Sequence, residues 1–268
     1  MTTTPTFIDS HCHLDMLDLS LYNNSFDALL KIIQGNNIDH MLCVSVDLDA
    51  WKNMAKLVQD YDNISLSVGV HPGAVPAKTP ASFESFAPML ANPKVIAIGE
   101  TGLDYHYSVE HKVAQQASFI TQIEIAKSAR KPLIIHTRDA RQDTINILTH
   151  ENARDAGGIL HCFTESWEMA KKGLDLGFYI SFSGIITFKS AAELRDVVAK
   201  TPIEQMLIET DAPYLTPVPY RGKANHPGFV PYVAKMISEI KNIPIEEVAR
   251  ITSQNFRTLF KDNLITTA

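Results

Sequence analysis

Seven residues with metal-binding or acid–base side chains stand where apolar runs of this 268-residue chain end: His11, His13, His71, Glu100, His136, His161 and Asp211. His11 and His13 close the run Phe7-Ile8-Asp9-Ser10-His11-Cys12-His13. Side chains at i and i+2 of a strand share a face, so both imidazoles can meet one cation while Cys12 points away. A neutral imidazole is the commonest side-chain metal ligand. The other five follow runs such as Gly69-Val70, Ile98-Gly99, Ile134-Ile135, Ile159-Leu160 and Ile208-Glu209-Thr210. The chain has ten histidines and five belong to this set. Packing histidines would scatter over helices and loops instead.

A catalytic zinc takes three protein ligands plus water. The larger set suits two divalent ions about 3.5–4 Å apart, with the two oxygens of Glu100 as the natural bridge. Histidine with carboxylate suits Zn²⁺ or Mn²⁺, and a mainly oxygen site suits Mg²⁺. Such a pair acidifies a bound water into a nucleophile at neutral pH, with Asp211 holding one ion and accepting the proton. Glu209 precedes Asp211 by two residues on the same inward face. It reads as the acceptor for the unused N–H of a ligand histidine, or as a rim ion pair. His71 reads as a phosphate contact, a proton shuttle or a rim residue bonded to backbone. Arg138, Arg221 and Lys223 are candidate phosphate clamps, although Arg138 and Lys189 could equally pair with rim carboxylates. Asn225 ends a donor-rich loop, residues 220–225, close after the last strand run, where barrels often bind phosphate. Tyr105, Tyr107, Phe163 and Tyr214 could stack bases of a single strand or pack.

The elements that would position these groups read as alternating strands and helices. Strand-like runs cover residues 7–13, 41–46, 64–70, 95–99, 132–136, 159–163, 178–186 and 205–209. Their interiors are rich in Val, Ile and Leu with little alternation, as in parallel strands covered on both faces. Helical spacing marks residues 25–36, with Ser25 as N-cap, and 111–130, 166–177 and 191–200. Strand ends recur about every 28 residues from His13 to Asp211, close to the ~30 residues of a βα unit. Eight units predict one closed (β/α)8 barrel over residues 1–268. No Gly-x-Gly-x-x-Gly follows the first run to support an open dinucleotide-binding sheet. Residues 229–260 read as two more helices broken at Ile243-Pro244, with Pro244 in a first turn.

Composition bounds the rest. Hydrophobic residues make up 45%, ordinary for a globular protein, and the net charge is −6. That acidity argues against broad coating of nucleic acid, but not against a strand end held at a metal site. No apolar run reaches the ~20 residues of a membrane helix, and Met1–Thr6 lacks the features of a signal peptide. A cytosolic monomer is the expectation. Cys12, Cys43 and Cys162 cannot form a disulfide framework and are expected to be buried thiols.

The segments Asp9-Ser10-His11-Cys12-His13-Leu14-Asp15, Gly69-Val70-His71-Pro72 and Ala97-Ile98-Gly99-Glu100-Thr101-Gly102-Leu103-Asp104-Tyr105 form one pattern with five others. These are Ile135-His136-Thr137-Arg138-Asp139-Ala140, Leu160-His161-Cys162-Phe163, Phe182-Ser183-Gly184, Glu209-Thr210-Asp211-Ala212-Pro213-Tyr214-Leu215 and Tyr220-Arg221-Gly222-Lys223-Ala224-Asn225. From Ile8 to about Phe260 the chain closely resembles the TatD-type metal-dependent hydrolases, a branch of the amidohydrolase-like barrels. The resemblance implies His11, His13, Glu100, His136, His161 and Asp211 as metal ligands. It also implies deoxyribonuclease activity, 3′→5′ on single-stranded DNA ends. The alternative is ester or amide hydrolysis, as by a D-aminoacyl-tRNA deacylase. A non-enzymatic metal-binding barrel would show degraded ligands, and none is missing. The chain departs from the pattern at Pro72-Gly73-Ala74, where many relatives carry a second histidine. It departs again at His226, where an acidic residue is frequent.

Overall fold

The computed structural model describes residues 5–75, 77–261 and 263–264. Eight strands, β1 (Phe7–Cys12), β2 (Ile38–Cys43), β3 (Ile64–Val68), β4 (Val95–Asp104), β5 (Leu133–Arg138), β6 (Gly158–Leu160), β7 (Tyr179–Phe182) and β8 (Met206–Ile208), pair in chain order. Every pairing is parallel. A parallel bridge between Cys12 and Ala212 brings β1 to the chain after β8, with His13 N–H on the Ala212 carbonyl at 2.8 Å and Asp211 N–H on the His11 carbonyl at 3.0 Å. The barrel therefore closes through the backbone of three candidate ligands.

A helix follows each strand: α1 (Phe26–Gly35), α2 (Trp51–Val58), α3 (Phe83–Leu90), α4 (Lys112–Ala129), α5 (Arg141–His150), α6 (Trp167–Asp175), α7 (Ala192–Lys200) and α8 (Val230–Lys241). Their starts are locally encoded. Ser25 Oγ accepts from Ala28 N–H at 3.2 Å and Ser166 Oγ from Met169 N–H at 3.4 Å, each satisfying an orphan donor of a first turn. A ninth helix, α9 (Ile245–Leu259), follows α8. Its Phe256, with Phe260 just beyond, packs into a cluster with Ile8, Leu42, Val44, Ile96, Ile134, Ile159 and Leu207. That cluster draws on six of the eight strands, and each buried phenylalanine contributes roughly 1.5–3 kcal/mol.

Several sequence expectations shift: the strand expected at 41–46 spans Ile38–Cys43, and those expected at 64–70 and 159–163 end at Val68 and Leu160. The run at 178–186 is a strand only to Phe182 and then a 3₁₀ turn, Gly184–Thr187. Its neighbour β8 ends its pairing at Ile208, so the rest of the run has no ladder. The run at 95–99 continues to Asp104 because β5 keeps offering partners, up to Asp104 opposite Arg138. Pro244 is the cap before α9 rather than part of its first turn. Cys162 is not fully buried, unlike Cys12 and Cys43.

Candidate metal centre

Glu100 lies inside β4 and not at its end. Flanking Gly99 and Gly102 have φ of +150° and +134°, and a Cβ there would meet Ile134 Cβ at 2.7 Å and the His136 carbonyl oxygen at 2.0 Å. Only glycine allows that approach of β4 to β5, and it aims the Glu100 carboxylate across the cavity. Glu100 Oε2 lies 3.4 Å from His11 Nε2 and 3.8 Å from His13 Nε2. Asp211 Oδ1 lies 3.5 Å from both rings. Glu100 Oε1 lies 3.0 Å from His136 Nδ1, 2.8 Å from His161 Nε2 and 3.4 Å from His71 Nε2. The seven residues read from the sequence thus converge, with one carboxylate between two sets of donors.

The strand phase behind this is not regular. Ile8 faces the apolar interior, and Ser10 Oγ reaches Ser181 Oγ on non-adjacent β7 at 3.1 Å. Plain alternation would then turn His11 outward. A register shift between Asp9 and Cys12 changes the phase, so that Ser10 and His11 both point inward, Cys12 outward and His13 inward. Asp9, buried beside the shift, accepts Thr210 N–H at 2.9 Å and His11 N–H at 3.3 Å. It ties the two ligand-bearing strand ends together.

Groups behind the rings fix which nitrogen faces in. His13 Nδ1 meets the Val44 carbonyl at 2.9 Å. His161 Nδ1 meets Glu209 Oε1 at 3.3 Å, and the same oxygen accepts Cys162 N–H at 2.7 Å. His136 Nε2 meets Asp104 Oδ2 at 3.1 Å. Each of these acceptors requires an N–H on the outer nitrogen, which in the neutral ring leaves a lone pair on the inner one. Asp104 was not singled out from the sequence. Its signal is its place four residues after Glu100 in one strand, hence on the same face. Burial would raise Asp104, but His136 and the Tyr107 and His106 N–H groups hold it at about 2.

Three imidazole lone pairs and the oxygens of Glu100 and Asp211 therefore face one small volume, an arrangement that only positive charge reconciles. The titration tendencies agree. Burial would push His161 down, but Glu100 and Glu209 raise it well above its ordinary value. Burial would push Glu100 up, but His161, His71, His11 and His136 hold it well below. His11 Nδ1, fully buried, has no hydrogen-bond partner among the described residues. The donors fall into groups of metal-binding spacing, His11–His13–Asp211, His11–Glu100–His161 and His71–Glu100–His136, so a divalent cation fits.

The family described as TatD related DNase matches residues 8–261. The chain belongs to that family. It is 47% identical over 253 residues to the uncharacterized metal-dependent hydrolase YcfH of Escherichia coli K12, covering 94% of this chain and 95% of YcfH. It is 38% identical over 255 residues to the uncharacterized metal-dependent hydrolase YabD of Bacillus subtilis, covering 95% and 99%. The crystal structure of YJJV, a TatD homologue of Escherichia coli K12, superposes with a TM-score of 0.87 at 28% identity, covering 95% of this chain and 98% of that one. The TatD fold and a metal-dependent hydrolase follow directly.

Around the TatD centre is a cavity of about 690 Å³ with Met16, Val46, Ile185 and Leu215 on its apolar walls. Arg138 lines it, with its Cζ 4.6 Å from the ring centre of Tyr107. Tyr107 and Tyr214 are 70% and 54% exposed and also line the cavity. Tyr105 is half-buried and bonds Asp143 at 2.9 Å, and Phe163 is core. Arg221 and Lys223 are not among the cavity-lining residues. Arg221 lies over Phe188 at 3.8 Å and Lys223 over Tyr220 at 5.4 Å. Asn225 is buried, donates to the Thr210 carbonyl at 3.0 Å and to Tyr214, and accepts His226 N–H at 3.0 Å. Its amide holds the loop to the end of β8. Among the described residues no helix is long and apolar enough to cross a membrane.

Proposed function

We propose that this protein is a two-cation phosphodiesterase that trims single-stranded DNA from the 3′ end. The observation that carries the reading is the placement of Glu100 between two sets of donors. His11, His13, Asp211 and Glu100 Oε2 would hold one ion, and His136, His161 and Glu100 Oε1 the other. Bound divalent cations supply Lewis-acid stabilisation of phosphoryl charge and lower the pKa of water from 15.7 to about 7.

The chain's own groups do the rest. Asp211, which lines the cavity, accepts the proton of the attacking water. Glu209 and Asp104 hold the His161 and His136 rings in the orientation that faces Glu100. Arg138, stacked on Tyr107, offers its guanidinium edge to the phosphate. Tyr107 and Tyr214 present faces to bases. Arg221 and Lys223 contact the strand beyond the cavity. Net charge of −6 favours an end-binding enzyme over one that coats nucleic acid.

Ester hydrolysis, as of an aminoacyl-tRNA, is the second reading. It is favoured by one observation: Arg138 is the only lysine or arginine among the described residues lining the cavity. End-labelled single-stranded DNA, RNA and aminoacyl-tRNA are offered in parallel to chelated protein with Mg²⁺, Mn²⁺ or Zn²⁺ restored. A ladder shrinking from the DNA 3′ end, lost in Glu100→Ala, is the expected result. Turnover of aminoacyl-tRNA alone would replace the nuclease reading with the esterase one.

A further inference from the structure

His71 differs from the other rings that face Glu100. Its Nδ1 meets a donor: Gly73 N–H points at it from 2.9 Å. A ring nitrogen that accepts a hydrogen bond carries a lone pair, so the neutral ring bears its proton on Nε2. That Nε2 points inward, 3.4 Å from Glu100 Oε1. His13, His136 and His161 are each backed by an acceptor and turn a lone pair toward the same centre. His71 turns an N–H there and has no lone pair to give a cation on that side, although its spacing to Glu100 and His136 is that of a ligand.

The tautomer is built into the backbone. His71-Pro72-Gly73 starts a 3₁₀ turn, Pro72–Ala74, in which Ala74 N–H also returns to the His71 carbonyl at 2.8 Å. His226-Pro227-Gly228 starts another, Pro227–Phe229, with Gly228 N–H on His226 Nδ1 at 3.1 Å and Phe229 N–H on the His226 carbonyl at 3.0 Å. The same tripeptide makes the same bond at His226, which is not among the cavity-lining residues, so contact with the cavity is not needed to impose it.

We propose that His71 is a catalytic hydrogen-bond donor rather than a cation ligand, its Nε2–H meeting an anionic oxygen of the substrate at the reacting group. The ring lines the cavity and its side chain is 22% exposed, so a substrate oxygen can reach it. Glu100 Oε1 at 3.4 Å is long for a hydrogen bond, and a closer anionic oxygen displaces it. A donor fixed before substrate arrives stabilises charge that develops during transfer. The identity of that oxygen as phosphoryl rests on the phosphodiesterase reading; the role as donor does not.

The test uses the full chain loaded with Mn²⁺ or Zn²⁺ and compares wild type, His71→Ala, His71→Gln and His136→Ala. Metal per chain after dialysis, and metal affinity by chelator competition, separate donor from ligand. His71→Ala is expected to keep wild-type metal content while His136→Ala loses metal. Turnover of the best substrate found, DNA or ester, should fall about 10²- to 10³-fold in His71→Ala. Binding of orthovanadate, measured on the metal-loaded protein, should weaken in His71→Ala and partly return in His71→Gln, which restores an N–H. Loss of a metal equivalent in His71→Ala overturns the proposal in favour of a ligand. Unchanged metal, vanadate binding and turnover overturn it in favour of a turn residue. Failure of the nuclease reading alone would appear as wild type inactive on DNA, with the metal and vanadate comparisons still decisive.

Discussion

Two His-Pro-Gly turns in this chain share a sequence, a 3₁₀ geometry and a bond from glycine N–H to histidine Nδ1. They differ in what the far side of the ring meets. At His71 it is Glu100 and a cavity. His226 is 7% exposed and packs on Phe229, with ring centres 4.1 Å apart. A local turn thus fixes the orientation of an imidazole, while the surrounding fold opens one copy to a cavity and buries the other. Burial pushes His226 down to about 4 and keeps it neutral, a wedge between the loop after β8 and α8.

The largest expected contrast is in turnover. His71→Ala should lose about 10²- to 10³-fold, while His226→Ala, measured at a temperature where it is folded, should stay within about twofold. Equal losses would show that both turns act only on stability. The contrast reverses in denaturant unfolding. His226→Ala strands the Gly228 N–H in a buried site and removes packing, which costs about 1–3 kcal/mol. His71→Ala leaves a solvent-accessible N–H and should cost less than 1 kcal/mol.

A smaller contrast separates the glycines. A Cβ on Gly228 would meet His226 Cε1 at 2.7 Å and Asn36 Nδ2 at 3.2 Å, whereas one on Gly73 would meet His71 Nδ1 at 3.1 Å. Gly228→Ala should destabilise by about 1–3 kcal/mol. Gly73→Ala should displace a ring that has room to move, lowering turnover more than the unfolding midpoint.

A further contrast is a pH effect. The folded pKa of His226 lies below its unfolded value near 6.5, so the unfolded state binds more protons between them. Its contribution to stability is fully present above about pH 6.5 and is lost as pH falls toward 4. His40, also pushed to about 4 by burial, adds a parallel slope. His226→Gln should therefore flatten the acid-side fall in urea midpoint without abolishing it. An unchanged slope would mean that His226 is not held neutral.

Much of this was legible along the chain. Ser25 and Ser166 cap their helices through bonds spanning three residues, and such bonds are written in neighbouring positions. The apolar runs located all eight strands because a parallel strand covered on both faces must be apolar along its length. The seven ligand-type residues at or near the ends of six of those runs pointed to one metal centre, and their side chains converge. What local pattern could not convey was the partner behind each ring. Asp104 stands behind His136 because β4 pairs five residues further with β5 than its apolar run indicated. Asn225, read as a substrate contact, spends its amide on the Thr210 and Tyr214 carbonyls, a contact that exists only once the loop folds back over β8.

The sequence alone thus determined the barrel, the residue types that converge in it and the turn that orients His71. Each follows from periodicity or from hydrogen bonds a few residues long. Only the tertiary structure decided that His11 faces inward after the shift at Asp9–Cys12, that the two oxygens of Glu100 face separate donor sets, and that the His71 turn meets a cavity while the His226 turn is buried against Tyr22. Those outcomes depend on strand register and on packing between segments far apart in the chain, and no local pattern carries that information.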